Sequence, residues 1–373
     1  MATTDLFPDA LDWETWTALT LQQKAAAAAP HASPSLIAAA LPAIAPHCTS
    51  VELVRLTAAC RELRAVEQLP IYFDEDQRSS FWCKAYSAYD IIRFVQMHGR
   101  RFLVPTVSPR VRHVAQTEFN TILSSVVGLR EFRCGRGRGG PYANTPNERR
   151  ITSLEAAAQA RSLTVLDFEN DALHPDLADL GPLAGCANLQ RLQLTTCAVL
   201  DLSPLTRCAR LTELGLTTLG QLEDLSPLAQ LISLRVLEVE GCASVSDITP
   251  LGRLVALEDL GLKMLPRLID IEPLANCTAL RVLYLTGCAA IEHVRPLAAL
   301  SRLKRLTLFG CRALTDVSPL ARCSSLEFLN LSRCNGLRGD LSGLANACAS
   351  LRHLVLRSSN AWCQPREGLN VII

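Results

Sequence analysis

Residues 303–325, LKRLTLFGCRALTDVSPLARCSS, contain the pattern that decides the fold of this chain. The stretch opens with L-x-x-L-x-L, formed by Leu303, Leu306 and Leu308, and Cys311 follows three residues later. The leading leucine of this pattern recurs at Leu163, Leu189, Leu211, Leu234, Leu257, Leu280, Leu303, Leu326 and Leu351. Successive leading leucines are 22 to 26 residues apart, and most intervals are 23. A period of this length predicts a tandem-repeat architecture.

Each repeat predicts a short strand followed by a turn. Leu306 and Leu308 are two residues apart, so they face the same side of a strand, and Leu306 is expected to be fully buried. Thr307, between them, is expected to point outward. One repeat cannot bury its apolar side alone, but stacked repeats share a continuous core.

The second half of the repeat predicts a short helical step. Ser318-Pro319 places a helix-capping residue before proline at the first helical position, and the same pair occurs at 203–204 and 226–227. Only about one turn fits before the next strand, so a 3₁₀ segment is expected. Aspartates recur just before this step and are interpreted as turn and cap residues. They are Asp201, Asp224, Asp247, Asp270 and Asp316.

The pattern over residues 163–356 resembles leucine-rich repeats. The ninth place of the repeat holds Cys197, Cys242, Cys288, Cys311 and Cys334, and the place three residues before the first leucine holds Cys186, Cys208, Cys277, Cys323 and Cys348. Those positions resemble the cysteine-containing subtype, whereas the D-[LIV]-x-P-L segment is similar to the shorter repeats of phosphatase-regulatory subunits and bacterial internalins. The resemblance implies an α/β solenoid, a horseshoe with parallel strands on its concave face and short helices and 3₁₀ turns on its convex face.

Composition narrows the function classes. The chain has 373 residues and a net charge of +1, which argues against a dedicated nucleic-acid binder. No apolar run is long enough to span a membrane, and the acidic N-terminus does not look like a secretory signal. The fifteen cysteines then indicate a reducing compartment, so a cytoplasmic location is expected, and a nuclear one is compatible.

Buried free thiols are the preferred interpretation of the repeat cysteines. Stacked strands lie roughly 4.8 Å apart, so Cys288, Cys311 and Cys334 are also close enough for crosslinking. The sequence has no C-x-x-C pair, so no metal site is predicted. It also has no G-x-S-x-G or H-E-x-x-H motif, and its seven histidines are scattered, so neither an enzyme nor a cofactor is predicted.

The region before the repeats divides into three predicted segments. Residues 1–32 are an irregular Ala-rich segment, 33–68 a helical module, and 69–162 irregular repeats with a Gly/Arg-rich insertion at 135–150. The irregular repeats include predicted strands at 69–73, 101–107 and 129–134 and a predicted helix at 111–128. The insertion is interpreted as a solvated loop, with RNA contact as the alternative. Residues 357–373 are expected to form a C-terminal cap in which Trp362 covers the last repeat.

The helical module resembles an F-box. Leu53, Leu56, Cys60 and Arg61 match the pattern L-x-x-L-x-x-V-C-R of that family. The resemblance implies that apolar helix residues bind the Skp linker subunit of a cullin–RING ubiquitin ligase of the SCF type. The candidates are Leu36, Ile37, Leu41, Ile44, Leu53 and Leu56. The alternative is a helical cap that shields the first repeat.

The variable strand positions supply the candidate binding residues. In leucine-rich-repeat proteins these positions line the concave face, and their mixture of arginine and aromatic side chains is typical of interface anchors. The predicted set is Arg191, Glu213, Glu238, Asp259, Lys263, Tyr284, Arg305, Phe309, Phe328, Asn330, Arg333 and His353. The expected function is non-catalytic protein binding, as an SCF substrate receptor or, alternatively, as a scaffold or phosphatase-regulatory protein without ligase attachment.

Overall fold

The computed structural model of the chain describes residues 69–73, 102–107, 116–125, 128–134, 151–169 and 177–373. The predicted segment 1–32, the F-box-like helices with Leu36, Ile37, Leu41, Ile44, Leu53 and Leu56, and the insertion at 135–150 lie outside these residues. The chain divides into two compact units, and nearly all of the described residues belong to the second, Arg110–Ser124 with Arg130–Ile373.

Short strands separated by short helices make up the described chain. The strands are β1 Leu69–Phe73, β2 Phe102–Val107, β3 Glu131–Cys134, β4 Val165–Glu169, β5 Arg191–Thr195, β6 Glu213–Thr217, β7 Val236–Glu240, β8 Asp259–Lys263, β9 Val282–Tyr284, β10 Arg305–Thr307, β11 Phe328–Asn330, β12 Arg338–Asp340, β13 His353–Val355, β14 Asn360–Trp362 and β15 Asn370–Ile372. The α-helices are α1 Gln116–Ser125 and α2 Ser342–Ala347. The 3₁₀ helices are Glu155–Gln159, Gly181–Gly185, Ser203–Arg207, Ser226–Gln230, Thr249–Arg253, Glu272–Asn276, Arg295–Ala299 and Ser318–Arg322.

The second unit contains eleven parallel strands in chain order, β3 to β11 followed by β13 and β15. The register places Leu306 of β10 beside Leu283 of β9 and Leu329 of β11, so equivalent leucines form one row. All three are completely buried. Strands β12 and β14, which alternate in the chain with β11, β13 and β15, pair with each other in a separate two-stranded parallel sheet. In the first unit β1 pairs with β2, also in parallel.

The 3₁₀ helices form where the Ser-Pro pairs predict them, but the serine is not their N-cap. In Ser203–Arg207, Ser226–Gln230 and Ser318–Arg322 the serine is the first helical residue and proline the second, and the N-cap is the preceding apolar residue, which makes no side-chain capping hydrogen bond. Seven of the eight carry proline in their first turn, and each buries a leucine or alanines. The backbone N–H of Ser226 donates to Asp224 Oδ1 at 2.7 Å, and that of Ser318 donates to Asp316 Oδ1 at 2.8 Å. The interpretation of the recurring aspartates as turn residues is therefore confirmed: each satisfies an N–H group that the short helix leaves without an internal partner.

The repeat cysteines are buried free thiols. Nine of the ten donate the S–H to a backbone carbonyl of the preceding repeat, at Sγ–O distances of 3.0 to 3.6 Å. Leucines such as Leu219 and Leu265 fill the same place in other repeats and are equally buried. Each thiol therefore packs as a small apolar group, and nine of the ten also link neighbouring repeats through a weak hydrogen bond.

Two predictions about single side chains are wrong. Thr307 is only 9% exposed, because its short side chain lies between Tyr284 and Asn330 on the neighbouring strands. Trp362 is 49% exposed and does not cover the last repeat. The side chains buried in that segment are Ala361, Cys363 and Leu369.

Arg366 occupies the end of the last repeat. Its Nε donates to Ala345 O at 3.1 Å, and its Nη2 donates to Cys348 O at 3.0 Å and to Leu351 O at 3.2 Å. Ala345 lies in helix α2, and Cys348 and Leu351 lie between α2 and β13. One planar guanidinium thus satisfies several backbone acceptors at once.

None of the helices among the described residues is both long enough and apolar enough to cross a membrane.

Candidate protein-binding face

The outward side chains of β5 to β11 and β13, with the residues that directly flank these strands, form what we call the sheet face. Strand β12 belongs to the separate two-stranded sheet and is not part of it. Along β5, Leu192 and Leu194 are buried, whereas Arg191, Gln193 and Thr195 are half-buried. The same alternation recurs along β7, where Leu237 and Val239 face the core. Because side chains of a strand alternate between its two sides, every repeat contributes polar residues to one shared surface.

Acidic side chains dominate the part of the sheet face on β6, β7 and β8, but most of them are paired. Arg191 Nη1 donates to Glu213 Oε2 at 2.7 Å, and Arg235 Nη1 donates to Glu258 Oε1 at 2.6 Å. These pairs join neighbouring strands. Both partners of the first pair are 42% exposed, so water screens it and it contributes at most about 1 kcal/mol to stability.

Lys263 lies between two glutamates of β7. Its ammonium group donates to Glu238 and lies 3.4 Å from Glu240 Oε2. Burial lowers the pKa of Lys263, but the two carboxylates outweigh burial and hold that pKa above its usual value. Lys263 therefore stays protonated, and its single positive charge offsets one of the two negative charges across the strand boundary.

Asp259 differs from the other acids of this region. Burial and the negative charge of Glu258 raise the pKa of Asp259, and the positive charge of Arg281 opposes them. No hydrogen bond or ion pair within 4.0 Å joins the Asp259 carboxylate to another described residue. It is the one acid of the predicted set without such a partner in the described part of the chain.

The sheet face on β9 to β13 combines cations with aromatic rings. Lys263 Nζ lies 5.6 Å from the centre of the Tyr284 ring. Arg305 lies over the Phe328 ring, with 5.3 Å between Cζ and the ring centre, and the Phe328 and His353 rings are 6.4 Å apart. Arg305, Phe328 and His353 occupy matching positions on β10, β11 and β13, so the register brings them into one row.

A third cation–ring pair lies just beyond these strands. Arg333 Cζ is 5.3 Å from the centre of the Phe309 ring. Phe309 is half-buried, whereas Arg333 is exposed. The backbone N–H of Arg333 donates to Arg357 O at 2.9 Å, which places these two arginines side by side on successive repeats.

The predicted residues lie on one surface, but some of them are already engaged in ion pairs or hydrogen bonds within the chain. Arg191, Glu213, Glu238 and Lys263 are engaged in pairs with each other or with a neighbour. Asn330 Oδ1 accepts from the backbone N–H of Ser332 at 3.0 Å, so its side chain also supports the chain turn. The sequence-based set omitted Lys304 and Arg352, which follow their leading leucines directly and are exposed. That position was the signal available for finding them.

Among the residues the structure describes, no group of three or more His, Cys, Asp or Glu side chains is placed so that it could hold a metal ion.

No protein-family model matches the chain, and no curated protein sequence matches it either. Solved structures do resemble it. An internalin (InlF) from Listeria monocytogenes is 23% identical, with a TM-score of 0.55, over 74% of this chain and 82% of its own. Internalin C2 of the same organism is 22% identical, with a TM-score of 0.42, over 64% and 90% of the two chains. A functional domain of InlJ, also from this organism and with a cysteine ladder, is 15% identical, with a TM-score of 0.36, over 69% and 63%.

The likeness to the first internalin agrees with the geometry of the repeats. Eleven parallel strands follow one another in chain order, and 3₁₀ helices connect most of them. Leucines at fixed places of every repeat fill the interior. In its fold, this chain is a leucine-rich-repeat solenoid.

Proposed function

We propose that this chain is a non-catalytic protein-binding protein that holds its partner on the sheet face. The observation that supports this most directly is the group of arginine–aromatic pairs on β10 to β13, Arg305 with Phe328 and Arg333 with Phe309. Arginine and aromatic side chains carry much of the binding energy in protein interfaces. A ring that lies against the guanidinium restricts the arginine side chain before binding, which reduces the entropy that a partner must overcome.

A comparison of sheet-face variants tests this proposal. The tagged full-length chain is used to recover partners from a cell extract, and mass spectrometry compares it with Glu238→Lys, Asp259→Lys and Phe328→Ala. Glu223→Lys is the matched control, because Glu223 is exposed and lies outside the strands. We expect at least one protein to be recovered with the native chain and the control and lost with sheet-face variants that remain folded. Recovery that no sheet-face variant changes would contradict the proposal.

We further propose that the helical module attaches the chain to an SCF-type ubiquitin ligase as a substrate receptor. The support is the sequence resemblance at Leu53, Leu56, Cys60 and Arg61 to an F-box, followed in the chain by the repeats. The rival proposal is a scaffold or phosphatase-regulatory protein in which the same residues only cap the first repeat. The eleven cysteines from Cys186 to Cys363 are all free thiols, which supports a cytoplasmic location for either function.

A pull-down of the Skp linker subunit separates these two proposals. The receptor proposal expects the folded native chain to bind the linker and a Leu53→Asp, Leu56→Asp double variant to lose it. Phe328→Ala should leave linker binding intact, because Phe328 belongs to the sheet face. Failure of the folded native chain to recover the linker would leave the scaffold proposal.

A further inference from the structure

Most of the positive charges on β9, β10, β11 and β13 lack a carboxylate within 4.0 Å, in contrast to those on β5 to β8. The basic side chains of this part of the sheet face are Arg281, Lys304, Arg305, Arg333, Arg352 and Arg357. Glu327 is the one acid at the corresponding positions, and it pairs with Lys304 at 2.9 Å. Within the described part of the chain, none of the five arginines donates a hydrogen bond from its side chain or has a carboxylate within 4.0 Å.

The five arginines are exposed, yet two of them are held in place by rings. Arg305 lies over Phe328 and Arg333 over Phe309, and both rings are half-buried. A guanidinium stacked on a ring keeps its N–H donors at the edge of the plane, where they can bind a carboxylate in a bidentate manner. These donors are therefore positioned for an anion before any partner arrives.

Arg333 has a φ of 58°, in the left-handed region that favours glycine. The same place holds Gly241, Gly287 and Gly310 in three other repeats, with φ between 67° and 77°, and Thr196, Thr218, Met264 and Ser358 in four more, with φ between 53° and 56°. A residue with a side chain costs about 1–2 kcal/mol in this conformation. Glycine would therefore suit this place, and Arg333 contributes a charge to the sheet face there.

We propose that the sheet face on β9 to β13 binds an acidic protein segment whose carboxylates pair with Arg305, Arg333 and their unpaired neighbours. This inference rests on the proposed function, and it names the chemistry of the partner. Charge complementarity carries the argument, since unpaired cations of one sign attract a segment of the opposite sign and exclude basic segments.

The surroundings favour a short acidic peptide over a nucleic acid. The four strands β9, β10, β11 and β13 span only about 15 Å at the usual strand spacing. Beyond them lie Asp259 and Glu258 on β8 and its flank, which would repel the phosphates of a longer strand. The faces of Phe309 and Phe328 on which Arg333 and Arg305 lie are also not free to stack on bases.

Fluorescence anisotropy with the full-length chain tests the proposal. The probe is a fluorescein-labelled decapeptide that alternates glutamate and alanine, and the comparison probes are its lysine–alanine counterpart and a ten-nucleotide oligothymidylate. We expect the acidic peptide to bind at least about tenfold more tightly than either comparison probe, and added salt to weaken its binding.

Two pairs of variants identify the surface. Arg305→Glu should weaken binding of the acidic peptide by about tenfold or more, whereas Arg302→Glu, the same change outside the strands, should not. Arg333→Gly should weaken binding without lowering the melting temperature, because glycine suits φ at this place. Thr218→Gly is its control, because Thr218 has the same conformation, with φ of 56°, and no charge.

Each outcome bears on the inference. If Arg302→Glu and Arg305→Glu weaken binding of the acidic peptide equally, the binding is non-specific charge attraction and the proposal is overturned. Tighter binding of the oligonucleotide would assign the surface to nucleic acid instead, and absence of acidic-peptide binding would also overturn the proposal. In each of these cases, partner recovery that depends on Glu238 or Asp259 would still support the broader proposal of protein binding on the sheet face.

Discussion

Leu306 shows how a single residue contributes to the fold. It is fully buried in the central row of leucines, between Leu283 and Leu329. We expect Leu306→Ala to lower the free energy of unfolding by about 2–5 kcal/mol, because the change loses apolar burial and leaves a cavity. Chemical denaturation checks this, with Arg302→Ala as the control.

Thr307, the residue next to Leu306, does not provide a control for this experiment. Because Thr307 is buried between Tyr284 and Asn330, its replacement by alanine is not a neutral control. Equal destabilisation by Leu306→Ala and by the exposed Arg302→Ala would show that the assignment of inward-facing positions is wrong.

The two cysteine rows act at the scale of the element, since nine of the ten thiols link one repeat to the repeat before it. Burial raises the pKa of Cys186, Cys288 and Cys334 to about 11, and it also raises the pKa of Cys311, where the neighbouring Cys334 and Cys288 add to the effect. The thiolate is the reactive form, so these groups should be inert at neutral pH.

We expect a thiol reagent at pH 8 to leave the ten repeat cysteines of the native protein unmodified and to label all ten after denaturation. The same raised pKa values imply that the folded state holds these protons more tightly than the unfolded state. Their contribution to stability is therefore complete below pH 9 and declines as the pH rises towards 11. Rapid native labelling of Cys288, Cys311 and Cys334 would contradict their burial.

The aspartates before the 3₁₀ helices titrate at the opposite end of the pH scale. Hydrogen bonds from the side chain and backbone of Ser203 lower the pKa of Asp201, and those of Ser226 and Thr249 do the same for Asp224 and Asp247. A lowered folded-state pKa stabilises the protein above the ordinary value of 3.8, and this contribution is lost as the pH falls through the folded value.

We therefore expect unfolding to become easier below about pH 4. A triple variant with asparagine at positions 201, 224 and 247 keeps an oxygen acceptor at each turn but removes the titration. Its stability should depend less on pH between pH 6 and pH 2 than that of the native chain. An unchanged pH dependence in denaturant titrations would mean that these turns do not contribute to acid sensitivity.

At the scale of the whole molecule, stability depends on each repeat contacting only its neighbours. Arg366 closes the array by donating to the carbonyls of Ala345, Cys348 and Leu351. We expect Arg366→Ala to cost about 1–3 kcal/mol, because it leaves several acceptors without their partner, and Arg366→Lys to restore little of it.

Amide hydrogen exchange locates the effect of Arg366. Exchange should accelerate in β13 and β15, next to the lost hydrogen bonds, and should change little in β5 to β8. Uniform acceleration along all strands would show instead that the repeats unfold as one cooperative unit. The matched control is Arg322→Ala, an exposed arginine on a 3₁₀ helix.

The periodic pattern of the sequence was sufficient to predict the repeat register, the buried leucines and cysteines, and the turns with their aspartates. It was sufficient because each of these features depends on spacing within one repeat, where strand alternation and turn chemistry act locally. The strand at 69–73 was predicted with its observed bounds, and the part of the predicted helix at 111–128 that the structure describes as helical is Gln116–Ser125. The exposure of the Trp362 side chain near the end of the repeats was not predicted.

Only the tertiary structure decided which members of the sheet face neutralise one another. Lys263 holds Glu238 and Glu240 from the neighbouring strand, and Arg305 lies over Phe328 one strand away. These partners are more than twenty residues apart in the sequence, and their contact depends on the reach and direction of side chains across stacked strands. The same lateral packing buries Thr307. It leaves the arginines of β9 to β13 without a carboxylate partner among the described residues. A pattern within one repeat carries no information about such contacts, because they arise between repeats.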